Sequence, residues 1–363
     1  MNKLTFTVIN DLSYDQRMHR ICNSLSNAGY HVTLIGRGLA NSLPITIKKF
    51  KQKRLRCFFT KGKLMYLEFN LRLFIYLLVI STDCYVAIDL DTIIPNYFAS
   101  NFRRKKRVYD AHELFTELKE IVTRPLIHKI WLKIENYAVP KYKYGYTVNE
   151  FIANEFMKKY GVNFSVVRNL PILSDLDHHP VTSNRFIIYQ GAVNEGRSFE
   201  TLIPAINQVN AQLVICGDGN FLSQVKQLIK KEGVEEKVQL KGMVPPEELR
   251  KLTPTAYAAV MLFEGTGLNQ YQSLANRFFD YIMAGVPQVC VDYPQYKVLN
   301  DQYSIASLIS DTCPDTIANA LNNLLNDAVY YNTIRQNCLV ARQKLNWQNE
   351  EKVLLAFYQQ LFK

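Results

Sequence analysis

The sequence predicts an α/β protein built from two Rossmann-like, doubly wound domains facing a cleft. Three observations predict it. Short β-prone segments and amphipathic helical segments alternate from Leu4 to Val167. A polar, proline-containing stretch, Asn169–Ser183, then interrupts the pattern, and the alternation restarts at Phe186. Serial strand–helix units require a parallel sheet covered on both faces, because each crossover lays a helix against the sheet. The chain has 363 residues, 48% of them hydrophobic. That is too long for one ordinary core and apolar enough for two. The expected domains are 1–170 and 171–345, with 346–363 a C-terminal helix packing back toward the first domain.

In the first half, Leu4–Ile9 alternates as a strand, and Asp15–Asn27 places Met18, Ile21, Cys22 and Leu25 at helical spacing. Gly29 stops that helix, and His31–Ile35 forms the next strand, completing one strand–helix–strand unit. Further strands are expected at Cys84–Ile88, Arg107–Tyr109, Gly145–Val148 and Val166–Val167, with a helix over Asn149–Tyr160. The two prolines and polar residues of Asn169–Ser183 read as a linker. His178 and His179 lie in it without ligand-bearing neighbours, which favours linker polarity over a metal site.

The second half predicts strands at Phe186–Tyr189, Gln212–Cys216, Val238–Leu240, Tyr257–Leu262 and Gln288–Val291. Helices fall between them at Ser198–Val209, Phe221–Lys231, Glu247–Leu252 and Asn276–Met283, and Asp315–Lys363 is largely helical.

Seven scattered cysteines, with no C-x-x-C pair, fit buried thiols in a reducing compartment better than a disulfide framework or zinc site. The N-terminal residues run straight into a strand without the pattern of a signal peptide. The longest apolar run, Leu71–Ile80, is ten residues and contains Arg72, short of the roughly 20 residues that span a bilayer. A cytoplasmic location is therefore expected. The net charge of +11 is uneven: Lys48–Lys63 holds eight Lys/Arg and no acidic residue, and Arg103–Arg107 is wholly basic. A solvated face is the ordinary account of such clusters. Aromatic residues interleave with the first one, at Phe50, Phe58, Phe59, Tyr66 and Phe69, and this suits anionic lipid headgroups. The functional reading is thus a peripheral protein at the inner membrane face. No nucleic-acid module is present.

Ligands of open α/β sheets bind beyond the carboxyl ends of the strands. The first such loop, Asn10–Arg17, lacks G-x-G-x-x-G. Gly217-Asp218-Gly219 has only part of it, and a tight turn explains it as well as a phosphate site does. Gly191–Arg197 is a better anion site, since small residues permit close approach and Arg197 at a helix start can chelate phosphate. In Gln272–Pro287, Ser273 can cap a helix starting near Ala275, leaving its N–H groups and Arg277 facing the same anion. Asp280 follows one turn on, where it can accept hydrogen bonds from a ribose diol.

Four segments in the second half carry a resemblance: Tyr189-Gln190-Gly191 with Glu195-Gly196-Arg197, Leu213–Gly219, Val238–Pro245, and Asn276–Pro287. Taken in order, they resemble the nucleotide-sugar domain of GT-B-fold, retaining family 4 glycosyltransferases (glycosyl transferases group 1). The first half resembles the acceptor domain more loosely, through Asp11 with Asp15-Gln16-Arg17, Asp89–Thr92, Val108–Leu114 and Tyr146–Asn149. The resemblance implies that Arg197 holds the donor diphosphate and that Asp280, the second carboxylate of an E-x7-E motif, binds the ribose. It puts Met243 along the nucleobase and His112 on the donor sugar near the anomeric carbon. Gly191, Gly217, Ser273, Leu274, Ala275, Asn276 and Arg277 complete the donor site. Asp11, Asp15, Arg17 and His112 lie on the acceptor side, with His112, Arg197 and Asp280 the catalytic set. Two positions depart from the pattern: Gln272 replaces the first motif glutamate, and Ala192 stands where a second donor-loop cation is common.

The implied reaction is glycosyl transfer from a UDP- or GDP-sugar with retention of anomeric configuration, with no other cofactor. An anionic membrane at Lys48–Lys63 suits a lipid-linked saccharide acceptor of cell-surface glycan synthesis. Asp89-x-Asp91 has the spelling of a metal motif but falls in the acceptor half, so metal independence is expected. A sugar-nucleotide epimerase and a non-catalytic nucleotide-sugar-binding protein remain alternatives; an NAD oxidoreductase lacks its fingerprint.

Overall fold

The computed structural model describes residues 1–363 apart from Tyr14, Asn41, 176–184 and Thr266. The C-terminal part of the expected linker, with His178 and His179, therefore lies outside the described residues. The chain forms two compact units, one of Met1–Asn169 with Glu350–Lys363 and the other of Leu170–Asn349.

Among the described residues, the first unit contains seven strands: β1 (Lys3–Thr7), β2 (His31–Gly38), β3 (Lys51–Arg56), β4 (Cys84–Ile88), β5 (Lys106–Ala111), β6 (Gly145–Thr147) and β7 (Ser165–Val166). They form one sheet in the order β3-β2-β1-β4-β5-β6-β7, and every pairing is parallel. The second unit holds β8 (Phe186–Gln190), β9 (Gln212–Cys216), β10 (Val238–Gly242), β11 (Ala258–Met261), β12 (Gln288–Val291) and β13 (Ala306–Ile309). Its sheet runs β10-β9-β8-β11-β12-β13, again parallel throughout. Both orders reverse direction after the first strand, so each unit has a topological switch point, between β1 and β4 and between β8 and β11.

Fully buried strands explain the compositions. Every residue of β4, β11 and β12 is buried, as a sheet covered on both faces demands. Local chemistry sets helix ends where the sequence placed them. The Asp15 carboxylate accepts from Met18 N–H to start the Gln16–Asn27 helix, and Asn149 does the same for Glu150–Tyr160. Gly161, Gly233 and Gly285 end their helices in the left-handed conformation.

Several elements exceed the sequence reading, among them the helix Pro294–Tyr303. Strand β13 is short and sits on the sheet edge. Within the basic cluster lies β3, an edge strand of β-atypical composition, KQKRLR; lysines on an edge discourage pairing with another chain. The apolar run after it belongs to an 18-residue helix, Gly62–Val79. Among the described residues, no helix is long and apolar enough to cross a membrane.

The last helix, Trp347–Phe362, contributes its final residues to the first unit. There the rings of Phe357 and Tyr358 pack against Tyr146, and Tyr358 also meets Phe6. All seven cysteines are free thiols, five of them buried.

Candidate functional site

Each switch point gathers chemistry-bearing side chains. In the second unit, β8 delivers Gly191–Arg197 and β11 delivers Leu262 and Phe263 on neighbouring strands. The Arg197 guanidinium carbon stands 4.2 Å from the centroid of the Phe263 ring, and that of Arg277 stands 4.7 Å from the same centroid. Two cations predicted from distant segments therefore converge on one aromatic ring. Gly191 lies beside them: a β-carbon there, at φ +121°, would come 3.4 Å from Arg277 Nη1.

The Gly217–Gly219 turn supports this loop. Gly191 N–H donates to Cys216 O at 3.0 Å and Val193 N–H to Asp218 O at 3.0 Å. A β-carbon on Gly217 would sit 1.8 Å from Gly191 O, and one on Gly219 2.3 Å from Val193 O. The two positions need glycine because one loop lies directly on the other.

Arg277 differs from its expected orientation. It is buried, donating from Nη1 to Tyr189 Oη at 2.9 Å, from Nη2 to Leu262 O at 3.2 Å and from Nε to Met261 Sδ at 3.0 Å. Burial against the sheet turns its donors inward, onto these protein groups. Ser273 is also corrected. Its hydroxyl donates to Gln270 O at 2.9 Å, and the helix Asn276–Ala284 starts after Ala275 with no side-chain cap. The Ala275 N–H instead donates to Tyr296 Oη at 3.0 Å. Leu274 and Ala275 are half-buried and Asn276 is exposed at this helix start. Asp280, one turn on and half-buried, accepts from Gln190 Nε2 at 3.1 Å. Gln190 in turn accepts from Thr253 Oγ1 at 2.7 Å. Met243 is 72% exposed just past β10, open to a planar ligand. Gln295 Nε2 meets Gln272 Oε1 at 3.3 Å.

In the first unit, Asp89 directly follows β4, β5 carries Asp110, and His112 directly follows β5. Arg17 Nη2 pairs with Asp110 Oδ1 at 3.1 Å, both side chains being buried, and Arg17 Nη1 donates to Val167 O at 3.2 Å. His112 Nε2 lies 3.3 Å from Asp110 Oδ1, and its Nδ1 lies 3.3 Å from Asp89 Oδ2. The other Asp89 oxygen accepts from His112 N–H at 2.7 Å. Asp89 has φ +50°, a strained conformation for a residue with a β-carbon. Burial alone would lower the His112 pKa, but Asp89 and Asp110 raise it from 6.5 to about 9. The imidazole is therefore a cation at neutral pH. Burial pushes Asp110 up, yet Arg17 and His112 hold it below the ordinary carboxylate value. Burial also pushes nearby Asp91 up to about 7, with the Asp89 charge adding to it.

Asp11 and Asp15 stand apart from that cluster. Asp15 caps a helix. Asp11 accepts from Arg54 Nη2 at 3.0 Å, from Ser13 N–H at 2.8 Å and from the Ser42 hydroxyl. Arg54 is thus removed from the free cations of Lys48–Lys63, whereas Lys51, Lys53, Arg56, Lys61 and Lys63 are exposed. In the second basic run, Lys105 pairs with Asp83 and Arg107 stacks over Tyr97.

The sequence missed Phe263, Asp89 and Asp110 as site residues. Asp89 and Asp110 each follow or end a β-prone run, a signal present in the sequence. Their meeting depends on β4 pairing with β5, which it does not show. Among the described residues, no cluster of three or more metal-ligating side chains occurs.

Residues 177–338 match the family model described as glycosyl transferases group 1, a stretch that lies within the second unit. No curated protein matches the chain. Sucrose-phosphate synthase from Thermosynechococcus elongatus is similar in structure, with a TM-score of 0.83 at 15% identity over 100% of this chain and 99% of that one. HepE from Anabaena, solved with UDP-glucose, superposes with a TM-score of 0.77 at 14% identity, over 99% of this chain and 100% of that one. WaaG, a glycosyltransferase involved in lipopolysaccharide biosynthesis, gives 0.69 at 13% identity over 97% and 98%. The fold is GT-B.

Proposed function

We propose that the chain transfers a sugar from a UDP- or GDP-sugar to a lipid-linked saccharide, with retention of anomeric configuration, at the cytoplasmic face of a membrane. The observation that carries this reading is the convergence of Arg197 and Arg277 on Phe263 beside Gly191, at the switch point of the unit that holds the group 1 match. Two guanidinium groups drawn together repel each other unless an anion offsets them, and a diphosphate does so while a loop lacking bulky side chains lets it approach. HepE, of the same fold, is solved with UDP-glucose.

In this reading the leaving nucleoside diphosphate gains charge as the glycosidic bond breaks. Arg197 and the start of the Asn276–Ala284 helix stabilise it directly, and buried Arg277 adds its field in a low-dielectric setting. These fixed charges are the reason for expecting metal independence. Asp280 accepts from the ribose diol, held in place by Gln190, and Met243 lies along the base. In the N-terminal unit, His112 supplies a positive charge rather than a base, because its two carboxylate neighbours favour the imidazolium. The exposed cations of Lys48–Lys63 attract anionic lipid.

A thermal-shift screen of nucleotide-sugars tests the reading, since a ligand that binds the folded state raises its melting temperature. The expected hit is one base with one sugar, followed by release of nucleoside diphosphate when a lipid-linked saccharide is added. NMR of the product reports its anomeric configuration. Epimerised donor formed without acceptor would favour the epimerase alternative.

A further inference from the structure

The Gly62–Val79 helix has two apolar faces. Met65, Phe69, Leu73 and Leu77 are buried in the first unit's core. The opposite stripe, Leu64, Leu67, Leu71, Ile75 and Leu78, is exposed, with Leu67 67% accessible. The i, i+3, i+4 spacing of these residues puts them on one side over about 20 Å of helix. The first helix of this unit, by contrast, shows water the polar Gln16 and Asn27 at its ends. A continuous apolar face on a surface helix marks an interaction site.

The turn before this helix is built to hold two rings outward. The Glu68 carboxylate accepts from the backbone N–H of both Phe58 and Phe59 at 2.9 Å and pairs with Arg72 Nε at 2.8 Å. The Arg72 guanidinium stacks 5.0 Å from the Phe58 ring centroid. Phe58 nevertheless remains 86% exposed and Phe59 47%. Exposed Lys51, Lys53, Arg56, Lys61 and Lys63 flank this tip in the sequence.

We propose that the outward face of the Gly62–Val79 helix, led by the Phe58–Phe59 tip, inserts into the headgroup layer of an anionic bilayer and lies along it rather than across it. The proposal rests on the membrane reading above and deepens it from electrostatic attraction to insertion. Charge decides the occupant: a second copy would bring the same cations face to face, whereas anionic lipid complements them. The apolar stripe then enters the acyl boundary, as amphipathic interfacial helices do.

Co-sedimentation with vesicles of phosphatidylglycerol and phosphatidylcholine, against phosphatidylcholine alone, tests it with two variants. The L67Q/L71Q/I75Q variant should bind roughly tenfold or more weakly at both low and high salt. The K51Q/K53Q/R56Q/K61Q/K63Q variant should lose binding mainly at low salt. Independently, Leu71→Trp should gain fluorescence quenching by brominated lipid that the wild type lacks, an arm that decides the matter if the triple variant does not fold. Unchanged binding by the triple variant, with no added quenching, overturns insertion and leaves electrostatic docking standing. A wild type that ignores anionic vesicles removes the membrane reading itself. A wild-type dimer that the triple variant converts to monomer, seen by light scattering, assigns the face to a second copy and overturns the proposal.

Discussion

One carboxylate holds His112 at two points: Asp89 Oδ1 accepts from the His112 backbone N–H at 2.7 Å, while Asp89 Oδ2 lies 3.3 Å from its Nδ1. Asp89 does this with its backbone at φ +50°. That clamp, with Asp110 on the other nitrogen, keeps the imidazole charged.

The charge has a pH signature. A histidine whose folded pKa is raised from 6.5 to about 9 contributes stability that is fully present below pH 6.5 and lost as pH rises through 9. Burial raises Asp89 even with His112 beside it, which offsets part of what the pair contributes at neutral pH. Wild-type melting temperature should fall between pH 7 and 10. His112→Gln should flatten that fall in a calorimetric series. A variant that keeps the wild-type slope would place the titration elsewhere.

Arg197 and Arg277 share a ring but should respond differently. Arg197→Ala removes a half-buried cation and should weaken nucleotide-sugar binding by about 1.5–3 kcal/mol with little change in melting temperature. Arg277→Ala strips donors from Tyr189, Leu262 and Met261 and should lower both stability and affinity, the former by about 2–3 kcal/mol. Calorimetric titration beside thermal unfolding separates them. Equal loss of stability in both variants would count against a ligand-facing Arg197.

Asp280→Asn keeps an oxygen for Gln190 Nε2 and removes the charge. Affinity for the free nucleotide and for the whole donor should drop together, each by roughly tenfold, since a ribose is common to both. If only the sugar-bearing ligand weakens, Asp280 does not bind ribose.

Gly217→Ala places a methyl 1.8 Å from Gly191 O, a backbone atom that cannot turn aside. The Gly191–Arg197 loop must shift, at a cost of about 1–3 kcal/mol or more. Reduced melting temperature and reduced donor affinity should appear together. Gly233→Ala, in a left-handed helix cap with nothing within 4 Å, serves as the control: it should destabilise without touching the donor. Normal donor binding by Gly217→Ala would show that the two loops are not coupled.

The sequence by itself determined the alternation of elements, the two-unit division and the loops worth searching. Hydrophobic period, capping residues and helix-ending glycines are local properties, and Asp15, Asn149 and Gly285 act through neighbours within one turn. The apolar runs within Gln212–Cys216 and Gln288–Val291 marked those strands without reference to partners. Strand β3 escaped because its lysines and arginines satisfy a sheet edge rather than a β-propensity scale, and its ladder to β2 supplies the order. Tertiary structure alone decided which charges meet. Sheet pairing sets Asp89 beside His112 and brings Arg197 and Arg277, eighty residues apart in the sequence, onto Phe263. It also turned Arg277 inward, took Arg54 out of the basic surface to pair with Asp11, and left one face of the Gly62–Val79 helix uncovered. Composition fixes how many charges and apolar groups a chain carries. Whether each finds a partner depends on contacts between distant segments, and those form only when the sheets close.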